Sequence, residues 1–259
     1  MKLASFRAPG GERLSGEVRD GRVVAFDDGS TVKDRLASGD RAPATGPEFV
    51  LGEVELLAPH VPRAIFGIGL NYVAHARESG AEPPPVPIVF MKLPSSVAAP
   101  GALVRAPAVV RRLDYEGELA VVIGADGEVA GFAVADDLSA RDLQGREPQW
   151  TRAKGFDNSC PFGPWVTTAD EVAEPGDLAL RTWVNGELRQ DSRTSDLIFS
   201  IPELVAFIRE TCTLAPGDLI LTGTPSGVGM ALDPPRFLGS GDVVRIEIEA
   251  LGVIEHEVA

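Results

Sequence analysis

Leu113-Asp114-Tyr115-Glu116-Gly117-Glu118-Leu119-Ala120-Val121-Val122-Ile123-Gly124 reads as a strand. Aliphatic and β-branched residues crowd its second half, and Gly124 ends it. Strand side chains alternate faces, so Glu116 and Glu118 point the same way. The run after them is apolar enough to be buried on both faces. Two like charges entering such a strand repel, and each loses its hydration. A divalent cation held by oxygen ligands removes the conflict. The plain alternative is a strand end that surfaces into water with two solvated glutamates.

The neighbouring sequence bears on that choice. Glu128 to Ala135 reads as the return strand of a hairpin, across Ala125-Asp126-Gly127. The return ends at Asp136-Asp137 and brings Asp137 within reach of Glu116 and Glu118. Three carboxylates around one point suit Mg²⁺, with Mn²⁺ or Ca²⁺ as other hard cations.

Upstream, Ala64 to Gly69 and Ile88 to Lys92 read as strands. Asn71 is placed to cap a helix over Tyr72 to Glu78. His75 and Glu78 then meet on one helix face. A carboxylate beside an imidazole raises its basicity and fixes its tautomer, as a general base requires; the same pair also suits an exposed surface helix. Gly80 to Pro87 holds three consecutive prolines, cannot be helical, and reads as a flap over a site.

Downstream, Ser139 to Gln149 reads as a short helix capped by Ser139, and Lys154 opens a Gly- and Pro-punctuated loop to Pro161. Asn185-Gly186, between Leu178 to Val184 and Glu187 to Gln190, signals a type I′ hairpin. Leu197 to Cys212 reads as an amphipathic helix with Leu204, Val205 and Ile208 in the core. Asp218 to Gly229 is a strand entering a Gly-rich loop. It is not a phosphate-binding loop, since it lacks the Gly-Lys-Ser/Thr ending and no helix follows. Val243 to Ile248 and Val253 to Glu257 close the chain as strands.

Residues 2–8, 14–18 and 22–26 read as short strands, with Asp20-Gly21 as a hairpin signal. Residues 1–60 are expected to form a small N-terminal module and 61–259 the larger domain, with Pro59-His60-Val61-Pro62 as the boundary. His60 is expected in a surface loop, and His256 to be structural or exposed. The net charge of -14 argues against nucleic acid and anionic membranes as partners. A local cation would still admit an acidic substrate. Cys160 and Cys212 have no CxxC spacing, which suits a reduced, cytoplasmic setting. Met1 to Arg7 lacks an apolar signal core, and no run approaches the ~18 apolar residues of a membrane helix.

Five segments, in order, resemble the fumarylacetoacetate hydrolase family: Gly69-Leu70-Asn71-Tyr72 with His75 and Glu78, Asp114 to Glu118, Asp137 to Gln144, Lys154-Gly155-Phe156-Asp157, and Leu221 to Gly229. The resemblance covers roughly residues 62 to 257. It implies a β-rich α+β fold, a mixed β-sandwich or roll with few short helices, assembled as a homodimer. It makes Glu116, Glu118 and Asp137 the metal ligands; Asp137 rather than Asp136, because the family's ligand directly precedes the Leu-Ser-Ala-Arg-Asp run. It makes His75 and Glu78 a water-activating dyad on a segment that orders with substrate, and sets Lys154 beside metal and substrate. Gln144 and Thr224 match groups that contact substrate oxygens.

The activity implied is Mg²⁺-dependent hydrolysis of the C–C bond of a small 2,4-dioxo acid, an acylpyruvate, through a metal-bound enolate. The nearest alternative is an isomerase or decarboxylase of 2-hydroxyhepta-2,4-diene-1,7-dioate-type substrates from aromatic catabolism. A rival of another class is a non-catalytic metal-binding scaffold, which would need neither the dyad nor Lys154.

Overall fold

A strand that is apolar on both faces must lie inside a sheet with a core on each side. The computed structural model covers residues 1–259 and buries every residue from Gly117 to Ile123. The N-terminal strands are β1 (Lys2–Arg7), β2 (Arg13–Arg19), β3 (Arg22–Ala25), β4 (Glu48–Val50) and β5 (Glu55–Leu57). Next come β6 (Ile65–Gly69), β7 (Ile88–Lys92), β8 (Val97–Ala98), β9 (Leu103–Val104) and β10 (Leu113–Asp114). The central strands are β11 (Gly117–Ile123), β12 (Val129–Asp136), β13 (Ser139–Ala140) and β14 (Cys160–Thr168). The last are β15 (Ala179–Val184), β16 (Glu187–Arg193), β17 (Leu219–Leu221), β18 (Val243–Ile248) and β19 (Gly252–Val258). Five short α-helices join them: α1 (Val32–Ser38), α2 (Val73–Glu78), α3 (Arg141–Gln144), α4 (Thr151–Lys154) and α5 (Ile201–Arg209). This is the expected β-rich α+β class. No helix is long and apolar enough to cross a membrane.

The large sheet runs β4-β3-β2-β1-β14-β12-β11-β17-β6-β7, with β5 on β1 and β8 on β14. A second sheet runs β16-β15-β18-β19-β9. Leu119, Val121 and Ile123 pack with Leu180, Val244, Ile246 and Ile254 of the second sheet. Ala120 and Val122 face the other way, toward Leu3, Leu36, Phe162 and Val166. Two cores, one on each face, explain the unbroken apolar run. Residues 1–60 extend the large sheet, since β1 pairs with β14 at Lys2↔Thr167 and Leu3↔Val166. Asn185 and Gly186 adopt φ of 52° and 78° in the expected hairpin turn.

Several local expectations give way to tertiary bonds. The glutamate strand is interrupted at Tyr115-Glu116, where Asp136 Oδ1 accepts the Glu116 N–H (2.8 Å) and Asp114 Oδ1 that of Tyr115 (3.1 Å). Asn71 does not cap α2. Its side chain donates to the Thr222 carbonyl (2.8 Å) and accepts from Phe199 N (2.8 Å), tying β6, β17 and the approach to α5 together. Ser139 lies in β13 and donates to the Asp137 carbonyl. The helix expected after it is only Arg141–Gln144, and Lys154 ends α4 rather than opening a loop. The helix expected over 197–212 contracts to α5, started by a Ser200–Glu203 capping box.

His60 is not a surface residue. Its Nε2–H donates to the Gly217 carbonyl (2.7 Å), its ring meets the edge of Phe162, and Nδ1 has no partner. Burial pushes its pKa down to about 4. A histidine with a lowered folded pKa stabilises fully above its unfolded value, near 6.5, and loses that contribution as pH falls toward 4. At pH 5 the loss is about 2 kcal/mol. Urea unfolding at pH 7 and pH 5 is expected to show this drop in wild type and not in His60→Gln. Equal pH slopes in the two proteins would remove His60 as the source.

Candidate metal centre

The β11–β12 hairpin builds the acidic cluster. Gly117 pairs with Asp136, and the Asp137 N–H donates to the Glu116 carbonyl (2.9 Å). One carboxylate oxygen each from Glu116, Glu118 and Asp137 then lie within 4.8 Å of one another, and all three residues are buried. Around them the chain supplies donors. Lys154 Nζ reaches Glu116 Oε2 (2.6 Å) and Asp137 Oδ2 (2.8 Å). Arg141 pairs with Glu116 (2.6 Å) and with Asp114 (2.8 Å). Lys92 holds Asp137 Oδ1 (2.7 Å) and donates to the Ser159 and Lys154 carbonyls. Glu118 Oε2 accepts only from the Gly223 N–H (2.7 Å).

These partners divide the carboxylates electrostatically. Burial raises the Glu116 pKa, but Lys154 and Arg141 overrule it and hold the group well below the usual carboxylate range. Glu118 goes the other way. Burial, then the charges of Asp137 and Glu116, push its pKa far up. Burial alone would lower the Lys154 pKa, yet Asp137 and Glu116 raise it and keep the ammonium charged.

The donor set fits a hard divalent cation. Three carboxylate oxygens at this separation can share one ion, and Glu118 is the member with no side-chain cation paired to it. Glu116, Glu118 and Asp137 would hold it. No cysteine or histidine joins them, and an all-carboxylate set suits hard cations such as Mg²⁺, Mn²⁺ or Ca²⁺.

The cluster opens on a cavity of about 280 Å³ lined by His75, Gln144, Thr224, Glu116, Arg141 and Lys154, with Phe90, Trp150 and Met230 as apolar walls. Every residue expected at the site reaches this cavity or the cluster beneath it, Glu78 through His75. His75 Nδ1 lies 2.8 Å from Glu78 Oε1. An ionised carboxylate only accepts, so Nδ1 is the donor in this pair, and in the neutral imidazole that tautomer leaves the Nε2 lone pair free. Glu78 Oε2 accepts from Gly227 N (2.9 Å), which docks α2 on the Gly-rich loop. Gln144 Oε1 is taken by Arg141 (2.8 Å).

Three residues escaped the reading of the sequence. Arg141 lies between Asp137 and Gln144, where a basic residue three before Gln144 was the available signal. Lys92 shares a strand face with buried Phe90, and a lysine on a buried face asks for a carboxylate. Asp114 shares the parity of Glu116. It also accepts from Gly229 N (2.8 Å) and Met230 N (3.1 Å), anchoring the loop opposite.

The family model described as fumarylacetoacetate (FAA) hydrolase C-terminal matches residues 64–259. The chain belongs to the fumarylacetoacetate hydrolase family. Within the family, the mitochondrial oxaloacetate tautomerase FAHD2B of Bos taurus is 42% identical over 287 residues, covering 100% of this chain and 91% of its own. A fumarylacetoacetate hydrolase from Exiguobacterium antarcticum superposes with a TM-score of 0.89 at 32% identity, over 100% of this chain and 99% of that one. A 2-hydroxyhepta-2,4-diene-1,7-dioate isomerase from Mycobacterium marinum has a TM-score of 0.83 at 34% identity, over 100% and 98%. All three bear the names of enzymes, and this chain is a fumarylacetoacetate hydrolase family enzyme.

Proposed function

We propose that this enzyme moves a proton at C3 of a 2-oxo acid, interconverting the keto and enol forms of an oxaloacetate-like substrate with a divalent cation bound. One observation carries the reading: an imidazole with a free Nε2, backed by a carboxylate, shares a small cavity with a cluster of three cation-binding carboxylates. The full-length likeness to an oxaloacetate tautomerase supports it.

When bound, the cation supplies Lewis-acid charge that favours enolate over ketone. His75 Nε2 removes the C3 proton. Glu78 holds the imidazole tautomer and stabilises the imidazolium that forms. Lys154, kept cationic, stands beside the oxygen that gains charge. His75 then returns the proton to that oxygen, giving the enol, or to C3, giving the ketone. Phe90 and Trp150 form apolar walls of the cavity.

The Glu78-backed His75 also favours a second reading. If the same Nε2 takes its proton from a water attacking C4 of a 2,4-dioxo acid, the C3–C4 bond breaks. The C3 carbanion is protonated, leaving pyruvate and a carboxylic acid.

Enol decay of oxaloacetate is the deciding assay, run with Mg²⁺ and with a chelator. Chelator-sensitive acceleration over buffer is the expected result. Folded, cation-loaded protein that accelerates nothing would overturn the tautomerase reading, and pyruvate release from an acylpyruvate panel would then test the hydrolase.

A further inference from the structure

We infer that Gln190 is a positioning residue of this site, and that it turns Thr224 to meet the substrate with its main-chain N–H rather than its hydroxyl. The inference rests on the reading of the acidic cavity as a cation and substrate site. Gln190 belongs to β16, in the second sheet, and is the one buried residue of that strand. A buried primary amide needs both ends bonded. Its Oε1 accepts the Gly117 N–H (3.0 Å), and its Nε2 donates to Thr224 Oγ1 (2.8 Å) and the Pro225 carbonyl (2.9 Å). One side chain therefore joins the strand between Glu116 and Glu118 to the Gly-rich loop above it.

Two neighbours show how tightly this joint is made. A Cβ on Gly117 would lie 2.3 Å from Thr182 Oγ1 and 3.2 Å from Gln190 Oε1, so only glycine lets the second sheet approach the glutamates this closely. Gly223, next to Thr224, gives its own N–H to Glu118. The loop is pinned to both sides of the cluster.

Thr224 has one hydroxyl proton, and the Gly117 carbonyl takes it (3.0 Å). Gln190 occupies a lone pair of the same oxygen. The hydroxyl has no proton left for a substrate oxygen. The Thr224 main-chain N–H, in a residue only 2% exposed that lines the cavity, bonds to nothing in the chain. Unpaired buried N–H groups are rare. A carboxylate or enolate oxygen of the substrate supplies the missing acceptor.

The test is a double-mutant cycle read by binding. Mn²⁺ affinity is measured by electron paramagnetic resonance, and oxalate affinity of the Mn²⁺-loaded protein by calorimetry. Gln190→Met and Thr224→Val each break the same joint, so each is expected to weaken oxalate about tenfold. The double variant is expected to be no weaker than either single one. Thr224→Ser keeps the hydroxyl and is expected to bind as wild type. Gln190→Asn, a milder change whose amide falls short of Thr224, is expected to weaken oxalate as well. The inference is overturned if both Gln190 variants bind oxalate like wild type while their melting points fall. It is equally overturned if the Gln190→Met and Thr224→Val effects multiply, which would give the hydroxyl a contact of its own. Wild-type protein that binds neither Mn²⁺ nor oxalate overturns the site reading beneath it, and the inference with it.

Discussion

His75→Ala is expected to lower turnover by about 10²–10⁴-fold, the usual worth of a positioned general base, while leaving divalent-cation affinity unchanged. The two effects separate because His75 touches no carboxylate of the acidic cluster. Its Nδ1 bond goes to Glu78, and Glu78 goes to Gly227, so the imidazole is aimed by α2 and the Gly-rich loop alone. Glu78→Ala is the less clean experiment, since it removes both the partner of the imidazole and the tie that docks the helix. Steady-state kinetics beside a Mn²⁺ titration checks the expectation. An unchanged rate in His75→Ala would strip the residue of its role as base, in either reading of the reaction.

Glu118→Gln is expected to stabilise the chelator-treated protein and to abolish both cation binding and turnover. The Glu118 pKa is raised, first by burial and then by Asp137 and Glu116. A carboxyl whose folded pKa is raised stabilises below its unfolded pKa and loses that stability as pH climbs through the folded value. Near neutrality, without a cation, its ionisation works against the fold. A neutral amide keeps the oxygen that accepts from Gly223 and removes the charge, for a gain on the order of 1–2 kcal/mol. A cation at about 100 times its Kd adds about 2.7 kcal/mol to wild type and nothing to the variant. Denaturant unfolding with and without Mg²⁺ reads both terms. A variant that gains from Mg²⁺ as wild type does would remove Glu118 from the ligand set.

The parts of this protein that were legible in its sequence are those fixed by short-range geometry. Period-two alternation put Glu116 and Glu118 on one face, and a hairpin return of known length put Asp137 beside them. The His75–Glu78 pair needed only one helical turn. The parts that were not legible depend on residues distant along the chain. Asn71 has the look of a helix cap, yet its partners are 128 and 151 residues away. His60 sits among prolines, which argue for a loop, and nothing local announces that Gly217, at φ +83°, backs against its ring. Gln190 lies in an otherwise mostly exposed strand, and its partner Gly117 is 73 residues upstream. The places of Lys154, Gln144 and Thr224 came from resemblance, because no spacing rule connects them to the glutamates.

Strand β6, which leads into the His75 helix, finds its parallel neighbour β17 late. The carboxylate of Asp218 accepts the Ala64 N–H from 154 residues away. Gly223 and Gly227, which hold Glu118 and Glu78, follow directly after β17. A chain grown to residue 200 already has every ionisable side chain of the cavity, yet lacks the two loop N–H groups that hold Glu118 and Glu78. A chain cut short before Gly223 would lack the N–H groups that hold Glu118 and Glu78, and is expected to show no turnover.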